Sequence, residues 1–341
     1  MIIVLFAYHR WHRPSIVFVL ITFNIILFFQ QISNNLAIIL ICTLLYLTYN
    51  FILETWVALA FISPGNKKPE LISKGWVSNY HNLDSIIHTK SHFDGNIRPL
   101  VIMVHGWRSG AISMSGRAEN YLEMGFHVII FELPGHGLSE PVSKWTAGHA
   151  STTFDQFYSN ISNVFDMNLV SEVYLHGHSM GGFVLLRFSK INNDNEGKYP
   201  VAGYILESPM TCYSQIFKES MEKLRIPKFA KNIFWKRLSS HFNFINPKIP
   251  NVSILDDVDV PQWGFIENNC LVIQAMHDDR LGLGHYQKLI DSQGKYDGNL
   301  FEHHLIEDLT HAGARNNSKR DEIIRNWYEK TSNHSDSVKS A

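Results

Sequence analysis

The chain has 341 residues, 45% hydrophobic and 18% charged, which is enough for one large domain with an appendage or for two small domains. A formal net charge of −1 gives no global electrostatic pull and argues against nucleic acid as a partner. The cysteines Cys42, Cys212 and Cys270 lie far apart and form no C-x-x-C pair, which argues against a disulfide framework or a zinc site.

Between Pro14 and Asn66 there is no Lys or Arg, and Glu54 is the only acid among Ile, Leu, Phe and Val. This is the composition of lipid-embedded chain. As helices, Ser15 to Phe29 would be about 22 Å long and Leu36 to Leu53 about 27 Å. The polar residues Gln30, Gln31, Ser33, Asn34 and Asn35 separate them, and the simplest arrangement is a transmembrane helical hairpin over residues 1–62. The alternative is a cleaved signal peptide with Arg10 and Arg13 as its basic end, but no small-x-small site follows Phe29. Arg10 and Arg13 precede the hairpin, while Lys67, Lys68 and Lys74 follow it. The positive-inside rule therefore puts both ends, and the domain that follows, on the cytoplasmic side. With one spanning run instead of two, that side is open.

Pro64 and Gly65 mark the change to soluble composition, and residues 63–94 read as a linker and the start of the next domain. Leu100 to Val104 is a continuous apolar run, as expected of a strand covered on both faces, and it ends at His105-Gly106-Trp107. A helix through Tyr121 to Met124 stops at Gly125. Val128 to Phe131 is the next strand and runs into the turn-rich loop Glu132 to Ser139. Phe154 to Phe165 has helical spacing, and Val201 to Leu206, Leu271 to Ala275 and Leu300 to Ile306 are further strands. His303 and His304 are neighbours in the last of these, so they point to opposite faces and read as strand residues, not as metal ligands. Strands alternating with helices imply an α/β domain, a mainly parallel sheet with helices on both faces. Its reactive groups belong at the carboxyl ends of the strands.

After the second of these helices the chain reads Val173-Tyr-Leu-His-Gly177-His-Ser179-Met-Gly181-Gly-Phe-Val184: an apolar strand, a small-residue turn, then a helical pattern. The G-x-S-x-G spacing in that order is a nucleophile elbow, which exposes a serine hydroxyl above the sheet. A serine needs a base within hydrogen-bond reach and a third group that fixes the tautomer of the base. Asp278, in the loop after Leu271 to Ala275, is the choice for the acid, with Asp279 second. His311, in the loop after the last strand, is the choice for the base, giving the order Ser, Asp, His.

These residues resemble the α/β-hydrolase superfamily, in particular bacterial serine hydrolases similar to lysophospholipases and monoacylglycerol lipases. The resemblance covers residues 95–331 and implies the α/β-hydrolase fold with Ser179, Asp278 and His311 as a catalytic triad. It also implies an oxyanion hole from the backbone N–H groups of Trp107 and Met180. Glu132 to Ser139 resembles the family segment D-x-P-G-H-G-x-S, with Glu132 where aspartate is usual, and Ala275 stands where glycine is common. In this family a helical cap is inserted where the strand rhythm breaks here, about residues 208–261. Lys218 to Arg237 carries seven basic and two acidic residues among Ile226, Phe229, Ile233, Phe234 and Trp235. That composition suits either a membrane-facing helix or a solvated helix packed on the core.

The expectation is a membrane-anchored serine hydrolase acting on carboxylic esters, lipid-like ones such as a monoacylglycerol or lysophospholipid. It needs no cofactor or metal, has no nucleic-acid partner, and sits in the inner membrane of a bacterium with residues 332–341 as a polar tail. A thioesterase, amidase or peptidase uses the same fold, and a non-catalytic membrane-bound interaction protein is the alternative from another class. A dehalogenase is disfavoured, since it uses a carboxylate where Ser179 stands.

Overall fold

The computed structural model describes residues 18–19, 21–22, 24–25, 34–64, 68–192, 199–294, 301–311 and 315–339. The Arg10 and Arg13 flank, Gln30 to Ser33, Lys67 and most of the first apolar run lie outside them. Cα packing divides the chain into two compact units. One comprises Pro64–Val142, Ala147–Ser220 and Ile254–Ala341; the other comprises Met1–Ser63, Ser143–Thr146 and Met221–Ser253.

The larger unit is built on eight strands: β1 Val77–Asn82, β2 Ile86–His92, β3 Arg98–Val104, β4 His127–Phe131, β5 Val170–His178, β6 Val201–Glu207, β7 Asn269–Ala275 and β8 Phe301–Ile306. They lie in the order β1-β2-β4-β3-β5-β6-β7-β8. The strands β4, β3, β5, β6, β7 and β8 pair in parallel, while β2 is antiparallel to both of its neighbours. The central strands are buried on both faces, with Leu100 to Val104 and Val128 to Phe131 all fully covered. This is why they read as unbroken apolar runs.

The crossovers supply helices α2 Ser115–Glu123, α3 Ala147–Ser159, α4 Met180–Asn192, α5 Tyr213–Lys223 and α7 Leu283–Gln293, and α8 Ser318–Lys339 follows the last strand. Gly125, at φ +81°, ends the α2 turn as its position in the sequence suggested. Met103, Met114, Tyr121, Ile273 and Trp327 belong to one core cluster. Helix α8 continues to Lys339, through the residues expected to form a polar tail.

The hairpin β1–β2 lies in the stretch read as linker. Its residues are polar, so no apolar run marks it, yet His88, Thr89, Lys90 and Ser91 are buried. They are satisfied locally: Lys90 Nζ donates to Glu70 at 2.6 Å, and Asn79 Nδ2 to Ser91 at 2.9 Å.

The smaller unit holds α1 Asn34–Ala60 and α6 Lys231–Ile245. Within α1, Ile38–Ala60 is long and apolar enough to cross a membrane. Its last turns are packed by the inserted segment: Leu53 and Val57 are fully buried, and Trp56 meets Phe234 edge to face at 6.3 Å. Glu54, the single acid of the apolar stretch, accepts from Arg237 Nη1 at 2.6 Å. Residues 221–253 fold as one unit with the apolar helix, although more than a hundred residues separate them in the chain.

Candidate active site

Strand β5 ends at His178, helix α4 begins at Met180, and Ser179 joins them at φ +54°, a left-handed conformation that costs a non-glycine residue energy. Its neighbours hold it there. Ser179 N–H donates to the Glu207 carbonyl at 2.9 Å, and the Ser179 carbonyl accepts from Met210 N–H at 3.1 Å. The flanking glycines are sterically required: a Cβ on Gly177 would lie 2.6 Å from the Gly182 nitrogen, and one on Gly181 only 2.0 Å from the Val104 carbonyl oxygen.

His311, the last described residue before 315, sits beside this turn. Its Nε2 is 2.9 Å from Ser179 Oγ, and its Nδ1 is 2.7 Å from Asp278 Oδ2. Asp278 follows β7 and has a fully buried side chain. Oδ2 also accepts from Gln274 Nε2 at 2.9 Å, while Oδ1 accepts from the backbone N–H groups of Arg280 and Leu281, both at 2.9 Å. Burial alone would raise its pKa, but the bonds from His311 and the two backbone amides, with the imidazole charge, hold the carboxyl well below the usual range. It is therefore an anion facing Nδ1, which favours the tautomer with Nδ1–H and a free lone pair on Nε2. Asp279, the second choice from the sequence, is 75% exposed at its side chain and lies beside Arg280.

The oxyanion candidates occupy the expected elements. Met180 is the first residue of α4, so its N–H has no intrahelical partner. Trp107 lies in the loop after β3, next to Gly106, where an added Cβ would come 3.1 Å from Ser179 Cβ. His105 is structural: it is fully buried, Nδ1 donates to the Gly106 carbonyl at 2.8 Å, and Nε2 accepts from Leu133 N–H at 3.1 Å. Glu132 braces the following loop by accepting from Ala111 N–H, Leu138 N–H and His88 Nδ1 at 2.7, 2.6 and 2.8 Å.

Two supporting features were not read from the sequence. His178 fills an unspecified position of the motif, and its Nε2 donates to the His311 carbonyl at 2.7 Å. Burial pushes its imidazole down to about 3, so it remains a neutral donor. Behind the elbow, the buried Glu207 accepts from Arg117 Nε at 2.6 Å, with His176 Nε2 3.4 Å away. Burial opposes the Glu207 charge, and Arg117 and His176 outweigh it, keeping the carboxyl well below its usual range. Nothing short of the fold marks that pair, because 90 residues separate its members. Among the described residues no group of three or more His, Cys, Asp or Glu is placed to hold a metal ion, and the three cysteines are free thiols.

Sheet order, elbow and crossover pattern are those of the α/β-hydrolase fold, which the chain adopts. Residues 95–258 match the family model described as serine aminopeptidase, S33. An esterase from Pyrococcus furiosus superposes with a TM-score of 0.57 at 13% identity, covering 78% of this chain and 96% of that one. Est1E from Butyrivibrio proteoclasticus gives 0.54 at 15% identity, over 74% and 98% of the two chains. A bacterial membrane phospholipase A gives 0.51 at 15% identity, over 87% and 98%. At such identities the likeness is one of fold. No curated protein matches the chain.

Proposed function

We propose that the chain is a membrane-anchored serine hydrolase that cleaves carboxylic esters through an acyl-enzyme on Ser179. The observation that carries this reading is the pair of hydrogen bonds running from Ser179 Oγ through His311 to the buried Asp278. Ser179 Oγ attacks the acyl carbonyl as His311 Nε2 takes its proton. Asp278 keeps the ring oriented and stabilises the imidazolium. The N–H groups of Trp107 and Met180 receive the developing oxyanion, a contribution of about 3 to 4 kcal/mol for each donor. His311 then protonates the leaving alcohol, activates water against the acyl-enzyme, and returns the proton to Ser179.

A lipid-like ester is the favoured substrate, because the apolar helix Ile38–Ala60 would hold the enzyme at its substrate's own phase. The membrane phospholipase among the structural neighbours supports this choice. The serine aminopeptidase model favours a second reading, cleavage of a peptide-like amide by the same residues. A panel of p-nitrophenyl esters of increasing chain length, lysophospholipid and monoacylglycerol in vesicles, and aminoacyl p-nitroanilides separates the two. Turnover confined to the anilides would replace the ester reading.

A further inference from the structure

The smaller unit places part of the cap at a defined depth along the apolar helix. Asn34 and Asn35 open α1, and further along it the side chains of Asn50 and Glu54 bond outside the helix. A hydrocarbon core of about 30 Å corresponds to about 20 helical residues. Counted from Asn34, that length ends at Glu54. There Arg237 Nη1 binds Glu54, Arg237 Nη2 binds the Asn50 side chain, and His241 Nε2 lies 3.4 Å from the second Glu54 oxygen. This buried polar cluster belongs at the headgroup level, where charged groups are tolerated, and it fastens α6 to the spanning helix at that height.

Phe229 lies deeper. Its ring stacks on Tyr49 at 6.5 Å, and Tyr49 is five residues towards Asn34 from Glu54, about 7 Å along the axis. Even so, Phe229 is 76% exposed, and Ile233 and Phe244 are exposed further along at helical spacing. Lys228 and Lys236 flank Phe229 and Ile233 and are also exposed, their stems long enough to lift the ammonium groups back to the headgroups.

We infer that the turn Lys228–Ala230 and the exposed face of α6 are set into the leaflet on the Glu54 side of the bilayer, with Phe229 among the acyl chains and the lysines on anionic phospholipid headgroups. The inference rests on the membrane-anchored reading above. It adds that the anchor positions the cap: the apolar helix and residues 221–253 dock on lipid as one body, and a lipid substrate is met by a cap already inside its leaflet. An insertion of 5–10 Å is the ordinary depth for an interfacial apolar face. The continuity with the spanning helix and the sign of the flanking charges select an anionic leaflet over a protein partner.

The test uses the full chain with Cys42→Ala, since Cys42 is the exposed thiol while Cys212 and Cys270 are buried. Phe229→Cys is labelled with an environment-sensitive NBD probe and reconstituted in phosphatidylcholine vesicles with or without phosphatidylglycerol. The expected result is blue-shifted emission, quenching by a spin label at acyl carbon 5 at least twofold stronger than by aqueous iodide, and a deeper signal when phosphatidylglycerol is present. Arg237→Gln should raise iodide quenching at least twofold by releasing the cap from Glu54. If the probe stays water-exposed while the protein remains in the carbonate-washed pellet, the docking inference is overturned and the anchor reading survives. Release of the protein into the wash overturns the anchor, and this inference with it. Quenching that is independent of phosphatidylglycerol overturns the anionic selection.

Discussion

Replacing Asp278 with Asn changes one atom and removes half of a hydrogen-bond set. The carboxylate accepts four donors, Gln274 Nε2 and His311 Nδ1 on one oxygen and the Arg280 and Leu281 amides on the other. An amide turned either way points its NH2 at two of them. If it faces His311, the imidazole is driven to the Nε2–H tautomer and has no lone pair for Ser179. If it faces the backbone, two amides in a fully buried site lose their acceptor, at about 1 to 3 kcal/mol each. The first case predicts a fall in kcat of about 10³- to 10⁴-fold, equivalent to about 4 to 5.5 kcal/mol in the barrier. Asp279→Asn, at an exposed side chain, should stay within about twofold of the parent. The assay is p-nitrophenyl butyrate hydrolysis at neutral pH, with thermal melts to separate tautomer loss from unfolding. Equal effects at the two positions, or the larger one at Asp279, would refute the role given to Asp278.

Gly181→Ala puts a methyl 2.0 Å from a backbone carbonyl and should cost about 3 kcal/mol or more, read as a lowered denaturation midpoint with activity lost. His178→Leu removes the donor to the His311 carbonyl and should lower kcat about tenfold with little change in KM, while His178→Gln retains most of it. The His178 imidazole is held at about 3, against about 6.5 in an unfolded chain, so the stability it contributes is complete above pH 6.5 and is lost as pH falls towards 3. The parent's melting temperature should accordingly drop more across that window than that of His178→Gln. Removing residues 1–62 deletes Leu53, Glu54, Trp56 and Val57 and uncovers Phe234 and Arg237, so the shortened chain should aggregate, whereas removing 1–33 should leave that unit intact in detergent. Size-exclusion profiles of the two truncations decide this.

The sheet centre and the site were legible because their physics is local. Continuous apolar runs mark strands covered on both faces, and the elbow writes its steric demand into three closely spaced residues, Gly177, Ser179 and Gly181. Asp278 and His311 were reachable because each directly follows a strand. The hairpin β1–β2 was not, since the buried Lys90, His88 and Ser91 are satisfied through partners at Glu70, Glu132 and Asn79, which no periodicity reveals. The same holds for the tie between Glu54 and Arg237, whose contact spans 183 positions. Composition marked the apolar stretch as an anchor, and the family resemblance implied a separate cap insertion at about 208–261; the fold groups residues 221–253 with the apolar helix.

The central claim is that the Ser179 hydroxyl is the nucleophile. The direct measurement is to treat the purified full-length chain with a fluorophosphonate, digest it, and locate the adduct by mass spectrometry. The account predicts a single phosphonylated peptide modified at Ser179, absent in Ser179→Ala and slowed at least a hundredfold in His311→Ala. Modification at another residue, or undiminished ester turnover in folded Ser179→Ala, would contradict it.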